Sequence, residues 1–258
     1  MADPAAPGRH QLLINGTHRP SESGRTHPVR DHRGTLIGEV ALGSRRDVRD
    51  AVAAARAAVP GWLRTAPTTR AGMLFDVEHG MARRHEELRA LVEASEGVGV
   101  KRAAQLVAAA ADRWLHHAGW ADKLTEPALG VVAVLAPASS SLLGLVSVLA
   151  PALATGNTVV VVAAQDRPLP ALLVGEAASG LPAGVLGVLT GRTAELAPWL
   201  AAHPDVDGID LVGAPAAQRQ DLELGAAGTL TRIIGAGTEP DWTRTPEASS
   251  LRALLRTG

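Results

Sequence analysis

The hydrophobic and polar positions follow different patterns in the two parts of the chain. Between about residues 44 and 118, apolar residues recur at the spacing of amphipathic helices. From residue 130 onward, short continuous apolar runs alternate with helical patterns, and such runs are typical of strands that are covered on both faces. The pattern therefore predicts an α/β fold with a doubly wound, mostly parallel sheet flanked by helices and preceded by an N-terminal strand and helix segment.

The elements follow from these runs and from the turn and capping residues between them. Ser44 is the predicted N-cap of the first helix, Pro60-Gly61 its predicted end, and Gly80 a predicted break in the second helix. The predicted strands cover 11–20 (with a turn at Asn15-Gly16), 34–44, 130–137, 158–162, 185–189, 208–212 and 230–234. The predicted helices cover 44–61, 67–95, 100–117, 142–154, 168–179, 193–202 and 215–227. Residues 1–10 are predicted to form a disordered leader, 11–234 the domain, and 235–258 a short tail with one helix over 246–256.

The composition narrows the possible functions. The chain has 258 residues, a formal net charge of −1 and no cysteine, which excludes disulfides, thiolate metal ligands and a cysteine nucleophile from these residues. The near-neutral charge gives no basis for nucleic-acid binding, and no apolar run reaches the roughly 20 residues of a membrane span. The N-terminus lacks the apolar core of a signal peptide. We therefore expect a cytoplasmic protein that binds neither nucleic acid nor membranes.

The stretch ATGNTVVVVAAQDRP, residues 154–168, joins a well-defined strand to an unusual strand end. Gly156 and Asn157 form a turn, and the β-branched run that follows predicts a buried strand. In α/β folds, ligands bind at the carboxyl ends of such strands. Here that end carries Val162 followed by two alanines, so it offers no polar side chain at the expected place.

Other polar groups favour structural roles. Ser139, Ser140 and Ser141 precede an apolar helix, so N-capping explains them better than a serine nucleophile, which would need an oriented histidine. His116 and His117 are adjacent on a predicted helix, where side chains diverge by about 100°, and they are poorly placed to share a metal ion. The sequence therefore predicts no metal site.

Seven stretches resemble the aldehyde dehydrogenase superfamily, in the order and close to the spacing of its N-terminal, NAD-binding half. The resemblance covers about 14–234 and implies a Rossmann-like form of the predicted sheet, with NAD or NADP as the family's cofactor. Gly191, at the end of the sixth stretch, is one of the family-equivalent cofactor positions. The stretches are INGTHRPSESG (14–24), DVRDAVAAARAAVPGW (47–62), AGWADKL (118–124), EPALGVVAVLAP (126–137), PALATGNTVVV (151–161), GLPAGVLGVLTG (180–191) and HPDVDGIDLVGA (203–214).

The resemblance assigns cofactor and substrate contacts to positions that have changed in this chain. The family's Pro-Trp-Asn, whose Asn amide helps to hold the oxyanion, becomes Pro137-Ala138-Ser139. The family's cofactor-binding Lys is Val162 here. The acidic residue that holds the ribose hydroxyls is Gln165, which keeps one acceptor but loses the charge-assisted hydrogen bond.

The family's pyrophosphate motif Phe-Thr-Gly-Ser is altered in the same way. It becomes Leu-Val-Gly-Ala at 211–214, so Gly213 is kept while Ala214 replaces the serine. Pro215 follows and offers no backbone N–H for an anion. The segment of the family's general-base Glu falls near 235–237, where no Glu aligns.

Two larger differences concern whole segments. The chain reaches Gly258 about where the family's catalytic domain begins, so we expect no counterpart of the catalytic cysteine domain. Between AGWADKL and TEPALGVV, family members carry a longer segment that contributes to an oligomerisation β-hairpin. We expect that hairpin to be missing here.

These differences predict an aldehyde dehydrogenase-like protein that is catalytically inactive, with the fold kept and the cofactor-binding side chains replaced. No bound cofactor is expected, and the protein would act as an accessory or structural partner, in a hetero-oligomer with a full-length aldehyde dehydrogenase or another protein. Two alternatives stay open: an NAD(P)-dependent aldehyde oxidoreductase that needs a second chain for the cysteine domain, and a non-functional remnant. The family-equivalent cofactor positions, expected to be vestigial, are Pro137, Ser139, Val162, Gln165, Gly191, Gly213 and Ala214.

Overall fold

A computed structural model describes residues 8–124, 126–235, 240–242 and 253–256. Strands and helices alternate through the second half of these residues, as the hydrophobic pattern predicts. The strands are β1 (Arg9–His10), β2 (Leu12–Ile14), β3 (Thr17–Arg19), β4 (Thr26–Arg30), β5 (Leu36–Ala41), β6 (Val131–Leu135), β7 (Thr158–Val162), β8 (Leu186–Leu189), β9 (Gly208–Asp210) and β10 (Arg232–Ile234). The helices are α1 (Arg45–Arg64), α2 (Pro67–Arg83), α3 (His85–Glu96), α4 (Val100–Ala118), α5 (Leu143–Ala154), α6 (Leu169–Ala177), α7 (Thr193–Ala201) and α8 (Arg219–Gly228).

The main sheet has seven strands in the order β10-β9-β6-β7-β8-β2-β3. The five strands from β10 to β8 are parallel, and β2 and β3 join antiparallel at one edge. The chain runs outward from β6 to β8 and then returns to place β9 on the other side of β6. This confirms the predicted doubly wound, mostly parallel sheet, and it places the reversal of strand order between β6 and β9. Ligands of open α/β sheets bind in the crevice outside such a reversal.

Two apolar cores cover the two faces of this sheet. Helices α1, α7 and α8 pack on one face and α5 and α6 on the other, and α2, α3 and α4 form an outer layer against α5 and α6. Successive apolar residues of β6 and β7 alternate between the two cores, and every residue of both strands is buried. The continuous apolar runs in the sequence are therefore strands covered on both sides.

Helix α1 begins as predicted and ends later than predicted. Ser44 and Asp47 form a reciprocal capping box, in which the Ser44 hydroxyl accepts from the Asp47 N–H and the Asp47 carboxylate accepts from the Ser44 N–H. The helix continues through Pro60 and Gly61 to Arg64. The predicted stop was wrong because Trp62 is 1% exposed in the core, and its burial outweighs the single backbone hydrogen bond that a proline removes.

The break in the second predicted helix lies at Arg84, between α2 and α3, and not at Gly80. Gly80 has another role, because a Cβ at that position would lie 2.6 Å from the carbonyl oxygen of Ala177 in α6. The glycine allows α2 and α6 to approach closely. The sequence pattern showed a small residue at this point but could not show which neighbour requires it.

The N-terminal region contains two strands that the sequence did not predict. Arg9–His10 pairs with β5, so the predicted leader over 1–10 is wrong at its last two residues, while residues 1–7 lie outside the described part. Thr26–Arg30 forms an edge of the small three-stranded sheet β1-β5-β4. This strand contains Pro28, and an edge strand tolerates proline because one side of its backbone has no ladder partner.

The last described residues, 253–256, pack on the domain instead of forming the predicted helix. They form a turn and a bridge from Leu255 to Ala128, and the rest of the predicted helix, 246–252, lies outside the described residues. The Leu254 carbonyl accepts from the Leu129 N–H at 3.2 Å and from the Asn157 side-chain amide at 3.0 Å. These contacts attach 253–256 to the amino ends of β6 and β7.

We expect Gly80→Ala to lower the free energy of unfolding by about 1–3 kcal/mol, because the added Cβ must displace the backbone of α6. Gly72→Ala, in the same helix with no atom within 4 Å of the added Cβ, is the matched control. It should raise the free energy of unfolding by about 0.5–1 kcal/mol through helix propensity. Urea denaturation measures both, and equal effects of the two changes would contradict the proposed close approach.

Candidate functional site

A cleft with a volume of 320 Å³ lies at the carboxyl edge of the sheet, beside the reversal of strand order. The ends of β6 and β7, the start of α7 and the loop after β9 form its walls. This is the position at which the sequence predicts a cofactor site. The lining residues are Ala136, Ala138, Ala164, Gln165, Asp166, Thr193, Ala194, Val212, Gly213, Ala214 and Pro215.

Gly213 fixes the shape of the cleft through the backbone. Its N–H donates to the Leu135 carbonyl at 3.1 Å, and a Cβ on Gly213 would lie 2.2 Å from the carbonyl oxygen of Ala136. The loop after β9 therefore lies directly against the end of β6, and only glycine fits there. This requirement comes from the protein's own backbone and needs no ligand.

Val162 does not contribute to the cleft. It is 0% exposed and belongs to the apolar core beneath α1 and α7. The polar side chains appear just beyond it, where half-buried Gln165 and exposed Asp166 line the cleft wall. The strand end thus carries Val162 where the resemblance predicts a lysine, and the carboxylate of Asp166 lies at the cleft rim.

The backbone around Ala214 is already hydrogen-bonded. The Ala214 N–H donates to the Leu211 carbonyl at 2.9 Å, and the Gln218 N–H donates to the Pro215 carbonyl at 2.9 Å. Residues Ala216–Gln218 form a 3-10 turn before α8, so the helix predicted over 215–227 is divided. An anion here would have no serine hydroxyl and no N–H from Ala214 or Pro215.

Pro137 and Ser139 lie in the loop after β6 and outside the cleft lining. Pro137 is buried, and a Cβ on Gly144 would lie 2.7 Å from its ring. Ser139 is exposed, and the Arg167 guanidinium donates to the carbonyl oxygens of Ala138 and Ser139, at 3.0 and 3.4 Å. Arg167 thus holds this loop through its backbone.

Gly191 serves the packing of the sheet end. It has φ +140°, and a Cβ there would lie 3.1 Å from the Gly43 nitrogen. The Gly43 N–H donates to the Thr190 carbonyl at 2.8 Å, which joins the end of β8 to the loop before α1. Of the seven predicted positions, the structure brings three into the cleft: Gln165, Gly213 and Ala214.

Two acidic residues near the site are absent from the sequence prediction. Asp166 directly follows Gln165, and its position after a buried strand could have indicated it. Asp210 ends β9 and is 7% exposed, and its carboxylate accepts from the Val212 N–H at 2.9 Å. Burial raises the pKa of Asp210 to about 6, against smaller lowering effects of the Val212 hydrogen bond and of Arg219.

The described residues contain no group of three or more histidine and acidic side chains that could hold a metal ion. His116 and His117 have ring centroids 5.1 Å apart in an edge arrangement. Burial, with smaller effects of His116 and Arg113, lowers the pKa of His117 to about 3, so its ring is neutral near pH 7.

None of the helices in the described part of the chain combines the length and hydropathy needed to cross a membrane.

Comparison with known proteins agrees with this architecture. The Aldehyde dehydrogenase family profile matches residues 18–235, which is most of the chain. The chain belongs to the aldehyde dehydrogenase family. It is 38% identical over 234 residues to hydroxyisobutyraldehyde dehydrogenase from Mycolicibacterium austroafricanum, covering 83% of this chain and 46% of that protein. It is 34% identical to the mitochondrial aldehyde dehydrogenase family 2 member B4 of Arabidopsis thaliana, covering 86% and 45%.

Solved structures show the same fold. HpcC from Thermus thermophilus superposes with a TM-score of 0.83 at 28% identity, over 88% of this chain and 47% of that chain. PnpE in complex with nicotinamide adenine dinucleotide superposes with a TM-score of 0.82 at 28% identity, over 87% and 50%. The chain thus spans about half the length of the relatives it matches.

We expect Asp210→Asn to stabilise the protein at pH 7.5. Because the pKa of this carboxyl is about 6 in the folded state, against an ordinary value of 3.8, the folded state binds a proton more tightly. The contribution of this carboxyl to stability therefore falls as pH rises from about 4 to 6. Asparagine removes the buried charge and should raise the free energy of unfolding by about 2–3 kcal/mol at pH 7.5, with a smaller gain near pH 4.

Urea denaturation at the two pH values measures this difference. Asp166→Asn is the matched control, since it makes the same chemical change at an exposed carboxylate, and it should alter stability by less than about 0.5 kcal/mol. A gain from Asp210→Asn that is the same at both pH values would contradict burial of the charged form as its cause.

Proposed function

We propose that this chain is a non-catalytic member of the aldehyde dehydrogenase family that acts as an accessory or structural partner of another protein, such as a full-length aldehyde dehydrogenase. One observation carries the proposal: the cleft keeps its backbone shape at Gly213 while the side chains that would bind a cofactor are replaced. Val162 lies in the core, and the N–H of Ala214 is bonded within the loop. The residues present do not fit a dinucleotide held by the family's contacts.

These replacements are large enough in energy to matter. A hydrogen bond to a charged group contributes about 1.5–3 kcal/mol. Loss of the lysine, the carboxylate acceptor and the serine hydroxyl together would cost on the order of 5 kcal/mol, or several thousand-fold in affinity. A micromolar cofactor site would become millimolar or weaker. The chain also has no cysteine, so the nucleophile of aldehyde oxidation would have to come from elsewhere.

Two exposed apolar side chains support the proposal that another protein binds this chain. Leu224 on α8 and Leu230 just after it are 65% and 93% exposed, which makes them the most exposed large apolar side chains among the described residues. They lie near β10, which ends the described sheet and pairs there with β9 alone. Exposed leucines near the edge strand of the described sheet are typical of a surface that another chain covers.

A second function is favoured by the cleft itself. Its volume of 320 Å³ and the carboxylate of Asp166 at its rim suit part of a nucleotide. In that case the chain would be one component of an NAD(P)-dependent aldehyde oxidoreductase, and a second polypeptide would supply the cysteine domain. Cofactor binding by the isolated chain distinguishes this function from the accessory role.

We expect calorimetric titration of the chain with NAD+ or NADP+ to show no binding tighter than millimolar, and no aldehyde turnover. The double variant Gln165→Glu/Ala214→Ser restores one carboxylate and one hydroxyl at the cleft and should strengthen binding by at least tenfold. Gln105→Glu, on the exposed surface of α4, adds the same charge elsewhere and is the control. Micromolar binding by the unaltered chain would refute the accessory role and favour the two-chain enzyme.

We expect the tagged chain to co-purify from its native host with a full-length aldehyde dehydrogenase or another defined protein in fixed ratio. Leu224→Glu and Leu230→Glu should abolish this association, because a charge in the contact would be desolvated. Val100→Glu places the same charge at an apolar residue that is 54% exposed on α4, and it should leave the association intact. Recovery of the tagged chain without any other protein in every preparation would argue against a partner.

A further inference from the structure

A second cavity, of 290 Å³, lies on the face of the sheet beneath α5. Val132 and Val134 of β6 form its floor, and Ser147 and Pro151 of α5 form one wall. Trp242 and Leu254 contribute to its cover. Its lining is predominantly apolar, and Val212 separates it from the cofactor-type cleft, since this residue lines both.

Asp210 is the one charged side chain among the described residues that line this cavity. Only 7% of its surface is exposed, and its carboxylate receives the Val212 N–H. An ionised carboxylate has about four acceptor positions, so one backbone donor leaves most of them unused. Arg219 influences the carboxylate only through its field, because its guanidinium donates to the Leu211 carbonyl.

The hydroxyl of Ser147, which also lines the cavity, is already engaged. The Ser147 hydroxyl accepts from the Arg113 guanidinium at 2.6 Å and donates to the Leu143 carbonyl at 2.6 Å. Ser147 therefore helps to shape the cavity, and its hydroxyl hydrogen is not free to bond a ligand. Among the described lining residues, Asp210 is therefore the carboxylate with unused acceptor positions, and the side chains lining the cavity around it are mostly apolar.

We propose that this cavity binds a small hydrophobic amine, with the apolar body against β6 and α5 and the ammonium group donating to Asp210. An apolar cavity of this size accepts small hydrocarbon-like ligands. A buried carboxylate is stabilised by a cationic donor through a charge-assisted hydrogen bond, and it repels anions. A neutral ligand of the same shape gains the apolar contacts but leaves the carboxylate unpaired.

This inference goes beyond the accessory role and is independent of it. The proposed function concerns nucleotide contacts at Gln165 and Ala214, whereas the amine site depends on Asp210. Loss of either property leaves the other unchanged. Titrations with nucleotide and with amine therefore give separate answers.

The experiment is calorimetric titration of the full chain at pH 7.5 with benzylamine and with benzyl alcohol, its neutral counterpart. We expect benzylamine to bind at least tenfold more tightly than benzyl alcohol. Asp210→Asn should weaken benzylamine binding at least tenfold and leave benzyl alcohol nearly unchanged. Asp76→Asn, at an exposed carboxylate of α2 outside the cavity, should change neither affinity.

A third variant tests the location independently of charge. Val148 lines the cavity and is only partly buried, so Val148→Phe fills the space at small cost to folding and should abolish binding of both probes. Circular dichroism checks that each variant is folded. Equal affinity for the two probes, benzylamine binding that survives Asp210→Asn or Val148→Phe, or no benzylamine binding at millimolar concentration would each overturn the proposal.

Discussion

Burial of the central strands on both faces is the constraint on which the rest of this structure depends. Every side chain of β6 and β7 is buried, and all of them except Thr158 belong to one of two apolar cores. A polar or charged residue within these strands would have to leave water without a partner. Chemistry in such a sheet is therefore confined to the residues just beyond the strand ends, and Val162 extends the core to the last position of β7.

The retained glycines have structural reasons that are independent of any cofactor. Gly213 is required because the loop after β9 touches the carbonyl of Ala136, and Gly191 is required by the approach of Gly43. A glycine of a cofactor motif can thus persist after the polar groups around it have been replaced. Retention of the fold and of its glycines is therefore weak evidence for cofactor binding. The polar residues Gln165, Asp166 and Asp210 are better evidence of which ligands the site can bind.

Much of the fold could be predicted from the sequence, because buried parallel strands leave continuous β-branched runs and Ser44 gives a clear capping signal. The extension of α1 to Arg64 could not, since it depends on burial of Trp62 by other elements. Strand β4 was hidden by Pro28, which only an edge position permits. The family-equivalent positions came from the resemblance, and three of them line the cleft. The burial of Asp210 could not be predicted, because it depends on packing between segments far apart in the chain.

The attachment of residues 253–256 to the sheet has a consequence for folding during synthesis. The amino ends of β6 and β7 have been synthesised once the growing chain reaches about residue 158. The Leu254 carbonyl, which accepts from the Leu129 N–H and the Asn157 side-chain amide, is synthesised only about a hundred residues later. Contacts of such sequence separation close late and slow folding. A nascent chain can therefore assemble the middle of the sheet while its base is still open, and the base can close only after residue 256 has left the ribosome.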